Sequence, residues 1–72
     1  MRKQPIPGEI WKHFKGCKYI ILQIANHTET NEEFVIYKEH ESMVGTTNVW
    51  ARPMKMFMHR KDDIWRFERV WK

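Results

Sequence analysis

Apolar and polar positions along this chain fall into short alternating runs divided by turn residues, a pattern of strands more than of helices. In a first strand over residues 9–14, Ile10 and Phe14 share one face while Trp11 and His13 share the other. Lys15-Gly16-Cys17-Lys18 then reads as a tight turn, with Gly16 available for a positive φ angle. The second strand, Tyr19 to about Asn26, is apolar on both faces: Ile20, Leu22 and Ile24 on one, Tyr19, Ile21 and Ala25 on the other. In so short a chain, a strand covered on both sides implies a closed or strongly bent sheet. A third strand over 33–39 sets Phe34 and Ile36 against Val35 and Tyr37. Residues 40–48 are a loop by composition, and Val49 to Arg52 is a short fourth strand. Pro53 opens a helical turn in which Met54, Phe57 and Met58 share a face. After a turn at Lys61-Asp62-Asp63, a last strand over 65–71 carries Trp65, Phe67 and Trp71 on one side. Pro5 and Pro7 make residues 1–8 an N-terminal arm. The expectation is one mainly β domain over 9–72, a small SH3-like barrel of about five strands with one short helical turn.

Composition narrows the setting. At 72 residues a single core supplies about 3–5 kcal/mol without a staple. Cys17 is the only cysteine, so no disulfide forms within the chain, and no zinc-ligand spacing exists. The core must therefore rest on four Trp, four Phe and two Tyr, or on a second copy of the chain. Each such side chain, fully buried, is worth about 1.5–3 kcal/mol. Neither a signal peptide nor a run of about 20 apolar residues is present, which predicts a soluble, cytoplasmic protein with no membrane partner. The net charge of +4 tilts the choice of ligand toward anions, although the basic residues are scattered from Arg2 to Lys72.

The polar stretch with the most chemistry is His27-Thr28-Glu29-Thr30, continued by Asn31-Glu32-Glu33. It joins the second and third strands and lacks the Asn-Gly or Asp-Gly of a plain hairpin. Two explanations compete for it. Its side chains contact a ligand, or His27 and Thr28 satisfy backbone groups where a strand ends while Glu29 pairs with Arg52 or Arg66. For Trp11, Tyr19, Tyr37 and Phe67 the core is the better assignment, and His40 and His59 read as surface residues.

The runs Trp11-Lys12-His13-Phe14-Lys15-Gly16, Ala25-Asn26-His27-Thr28-Glu29-Thr30, Val35-Ile36-Tyr37 and Trp50-Ala51-Arg52-Pro53-Met54-Lys55-Met56-Phe57, with Tyr19 and Arg66-Phe67, carry a resemblance. From about Gly8 to Glu68 the chain resembles the bacterial and phage family labelled domain of unknown function 1653. The resemblance implies a compact SH3-like barrel and says little of activity. Its polar signature corresponds to His13, Lys15, Gly16, His27, Thr28, Glu29, Thr30, Arg52 and Pro53. The chain departs from the family's pattern over residues 41–48.

These residues suit a non-enzymatic binding module for a nucleotide or nucleic acid, with His13, Lys15, His27, Thr28, Glu29, Thr30 and Arg52 as candidate ligand contacts. Arg52 and Lys15 would neutralise phosphate, the threonine hydroxyls would read polar edges, and Glu29 would accept from an exocyclic amine. Trp11, Tyr19 or Trp50 would stack on a base. A protein- or peptide-interaction module, with Trp50, Pro53 and Tyr37 forming a groove, is the alternative. A phosphodiester hydrolase using His13, His27 and Glu29 is weaker, because neither histidine sits in a His-x-Thr or His-x-Ser motif. No catalytic residue, cofactor or metal site is predicted.

Overall fold

The computed structural model describes residues 3–40 and 48–71. Among these, β1 (Ile10–His13), β2 (Lys18–Asn26), β3 (Glu33–Glu39), β4 (Val49–Pro53) and β7 (Phe67–Trp71) form one antiparallel sheet in the order β4-β3-β2-β1-β7. A one-turn helix, α1 (Met54–Phe57), follows β4. A two-stranded hairpin of β5 (Arg60–Lys61) and β6 (Ile64–Trp65) then leads into β7. Among the described residues no pairing joins β4 to β7. The chain is mainly β with one short helix, as expected, but its sheet is open. The loop expected over 40–48 lies, apart from its two ends, outside the described residues.

The core is an aromatic stack on one face of the sheet, closed by α1. Trp11, Ile21, Val35, Tyr37, Met54, Phe57 and Phe67 are buried, with Tyr19, Ile24 and Met58 packed against them. Phe57 and Phe67 stack at 4.1 Å between ring centroids, and Trp11 and Tyr37 meet Phe57 edge-on at 5.4 and 5.6 Å. Such pairs add about 0.5–1.5 kcal/mol beyond the area they bury. The helix keeps only Met54 and Phe57 buried, which fits a four-residue element acting as a lid over the stack.

Two departures from the sequence reading have local causes. Strict alternation puts Ile24 with Ile20 and Leu22, yet Ile24 faces the core. The reason is a bulge: Ile21 pairs with Tyr37 and Gln23 with Ile36, so Leu22 is an extra residue and the faces exchange beyond it. The expected last strand is broken at Arg66, and Trp65 belongs to the small hairpin instead. Asp62 and Asp63 form the turn of that hairpin with φ of 53° and 65°, a conformation that short polar side chains tolerate.

The N-terminal arm is tied down by a side chain that periodicity does not single out. Glu9 is 4% exposed, and one carboxylate oxygen accepts from the Trp11 indole at 3.0 Å and from the Ile6 amide at 2.9 Å. The other accepts from Arg69 on β7 at 3.3 Å. Burial alone would raise the carboxyl's pKa; the hydrogen bonds from Trp11 and Ile6 and the Arg69 guanidinium outweigh it and hold Glu9 below its ordinary value. Gly8 N–H and Glu9 C=O complete the attachment on Ile21, at 2.8 Å each. No helix among the described residues is long and apolar enough to cross a membrane.

Candidate functional site

The site grows from the end of β1. His13 continues the inward face begun by Trp11, but it stands where the strand turns away, so its ring is half-buried. It packs edge-on to Phe67 at 4.9 Å and lies against Phe14 at 4.5 Å. Its amide donates to the Cys17 carbonyl and its carbonyl accepts from Gly16, each at 2.8 Å, which closes the 14–17 turn. Gly16 holds φ of 110° there, a value only glycine adopts without strain. The Lys15 amide donates to His13 Nδ1 at 3.1 Å. The neutral ring therefore carries its proton on Nε2, directed away from the turn.

Arg52 reaches the same aromatic surface from β4. Its Nε donates to the Tyr37 hydroxyl at 3.0 Å, and its guanidinium lies 5.6 Å from the Phe67 ring centroid. Arg66 arrives from the break before β7, held beside the end of β1 because the Phe14 amide donates to the Arg66 carbonyl at 3.0 Å. Arg66 Nε is buried and has no hydrogen-bond partner among the described residues. Lys15 adds a third cation, 5.9 Å from the Phe14 ring centroid. Among the described residues no carboxylate pairs with Arg52, Arg66 or Lys15. Burial, reinforced by the positive charges of Arg52, Arg66 and Lys15, holds the His13 imidazole below the ordinary histidine value.

A cleft of about 400 Å³ adjoins the cluster, lined by Phe14, His59, Lys61, Asp62, Ile64 and Arg66. Phe14 and Ile64 on its wall are 54% and 55% exposed. Among the described residues no three His, Cys, Asp or Glu side chains gather to hold a metal.

Three of the residues expected at a site, His13, Lys15 and Arg52, thus come together. The other four do not join them. His27 follows the Asn26 end of β2, whereas His13 lies by the Lys18 end of that nine-residue strand. At about 3.3 Å per residue the separation along the strand is on the order of 20 Å. At its own end His27 acts as a turn cap: Nδ1 accepts from the Glu29 amide at 3.1 Å and the Thr30 amide at 3.3 Å. The Thr30 hydroxyl accepts from Glu32 N–H at 3.2 Å, and Asn26 donates to the Asn31 side chain at 3.2 Å. Thr28 and Glu29 are exposed, and no ion pair among the described residues joins Glu29 to Arg52 or Arg66. Replacing His27 by alanine should remove an acceptor from two amides, costing about 0.5–1.5 kcal/mol. A thermal melt should show a midpoint lower by several degrees with ligand response intact. A normal midpoint with the response gone would restore the turn to the site.

Arg66 is the contributor that periodicity missed. In the sequence Arg66 stands between two aromatics, Trp65 and Phe67, and figures in the family resemblance and as a possible partner of Glu29, but not as a ligand contact.

The family model described as Protein of unknown function (DUF1653) matches residues 9–69. The chain belongs to this family. The DUF1653 match runs from Glu9, the anchor of the arm, to Arg69, its partner on β7, and takes in all of His13, Lys15, Arg52 and Arg66. No curated protein and no solved structure matches the chain.

Proposed function

We propose that this DUF1653 protein is a non-enzymatic binding module for a nucleotide or nucleic-acid ligand, held at the His13–Lys15–Arg52–Arg66 cluster. The observation that carries the reading is the unpartnered, buried Arg66 Nε beside two further cations with no carboxylate paired to them among the described residues. A buried guanidinium nitrogen without an acceptor is costly, and an anion bound there would remove that cost. Guanidinium forks pair bidentately with phosphate, and Phe14 on the cleft wall offers a ring for a base to stack on. Within the same proposal the sheet is an SH3-like barrel left open between β4 and β7. Its support is the strand order, the one-turn helix before the last long strand and the bulge that bends β2.

A second reading, recognition of an extended peptide or protein, has one observation in its favour. The outer edge of β4 pairs with no strand among the described residues, and Val49 and Trp50 on it are 56% and 46% exposed.

A melting panel separates the two. A nucleotide or short oligonucleotide present at about 100 times its dissociation constant should add about 2.7 kcal/mol of stability, seen as a higher midpoint. The double variant Arg52→Gln, Arg66→Gln should melt cooperatively without ligand and show no rise with it. No rise for the native protein with any nucleotide or oligonucleotide would overturn the proposal and leave the β4 edge as the better surface.

A further inference from the structure

Resting on that reading, we infer that the cluster takes a terminal phosphate: a phosphomonoester, on a mononucleotide or at the 5′ end of a single strand, in preference to an internal phosphodiester. Charge, donor supply and shape lead to it independently.

A phosphodiester carries one negative charge and two free oxygens, whereas a phosphomonoester carries about −1.5 to −2 near neutral pH and three acceptor oxygens. The cluster supplies three permanent cations, Lys15, Arg52 and Arg66, around the Nε2–H of His13. Arg52 has already committed its Nε to Tyr37, so its terminal nitrogens are what it has left to offer. Arg66 Nε is buried, so Arg66 too would meet a ligand through its terminal nitrogens. Two guanidiniums and an imidazole N–H give one donor group for each of three oxygens, with Lys15 as a point charge at the rim. One singly charged diester would leave most of this field uncompensated.

Shape gives the direction. The cluster backs onto the buried Phe67 ring, shared by His13 and Arg52, so a ligand cannot pass through it. The adjoining cleft starts at Arg66, at the base of the β5–β6 hairpin, where the Arg66 amide donates to the His59 carbonyl at 2.9 Å. It runs toward Asp62 at the hairpin's tip. Lys61 and Asp62 offset each other at the far end, so the positive charge is concentrated at Arg66, while Phe14 and Ile64 line the way with apolar surface. A ligand with its charged end at Arg66 and its base or trailing chain in the cleft fits this layout.

Titration calorimetry on the native protein tests this with inorganic phosphate, a nucleoside, its 5′-monophosphate, and one short single-stranded oligonucleotide in 5′-phosphorylated and 5′-hydroxyl forms. The 5′-phosphorylated strand should bind about tenfold or more tightly than the 5′-hydroxyl strand, as one lost charge-assisted contact set would dictate. The monophosphate should outbind the nucleoside by a similar factor. Arg66→Gln should reduce both ratios toward unity while melting as a folded protein. Equal binding of the two strands overturns the terminal-phosphate assignment and leaves the nucleic-acid reading standing. Binding of inorganic phosphate with no gain from the nucleoside portion overturns the base's place in the cleft and the nucleotide reading with it. No binding by any probe overturns both readings at once.

Discussion

Phe57→Ala should leave the protein without a cooperative melting transition at room temperature. Phe57 is 0% exposed, stacked on Phe67 and met edge-on by Trp11 and Tyr37. Truncating a buried phenylalanine costs about 3–5 kcal/mol, lost transfer energy and cavity together. A domain of this size has about 3–5 kcal/mol in total. The two quantities are equal, so one substitution consumes the whole margin. The damage should also reach the site, because Phe67 supports both His13 and Arg52. Phe57→Leu keeps most of the volume and should remain folded with a lowered midpoint. Near-ultraviolet circular dichroism on heating distinguishes these outcomes. A sharp, native-like transition in Phe57→Ala would mean that the stability comes from somewhere other than this stack.

Glu9→Ala should be the most damaging substitution of a charged residue, at about 2–3 kcal/mol, since hydrogen bonds to a buried charged group are worth about 1.5–3 kcal/mol. It strands the Trp11 indole N–H inside the core and releases the arm at Ile6. Arg69→Ala should cost far less, because that guanidinium is 44% exposed and solvent screens it. The pH dependence follows from the depressed carboxyl of Glu9. An acid whose pKa is lower in the folded protein than in the unfolded chain binds fewer protons when folded. Its contribution is fully present above the ordinary glutamate value of 4.5 and is lost as pH falls through the lowered folded value. Denaturant unfolding across that acidic window should show the native protein losing its advantage over Glu9→Gln. A constant difference between the two at every pH would mean that folding leaves the Glu9 pKa unchanged.

Much of this fold is legible in the pattern of residues, because short strands bounded by turn chemistry leave a local record. The third strand has the expected limits, and Pro53 does introduce the helix whose Met54 and Phe57 face inward. What escapes are features that depend on pairing. Leu22 looks like any apolar residue of an alternating strand, and only the partners of Ile21 and Gln23 reveal it as an insertion. The β5–β6 hairpin has two residues per strand, too few to show a period.

The site was half legible for a related reason. His13 and Arg52 are 39 residues apart in sequence, yet they meet because β1 and β4 both aim side chains at Phe67, and the turn after β1 brings Lys15 beside His13. His27, Thr28, Glu29 and Thr30 are neighbours in sequence and suggest chemistry by their density. Residues that cap a turn are the same types that bind ligands, since both tasks require short, well-placed polar atoms.

The additional residue at Leu22 divides β2 into two segments that are out of phase. Deleting Leu22 would leave every other pair of β2 with β3 as it is and restore plain alternation, with Ile21 and Ile24 two positions apart and both still facing the interior. Length can therefore change inside this strand as well as at the hairpin tips. A DUF1653 sequence one residue shorter at this point should keep the same apolar and polar faces on both sides of the gap.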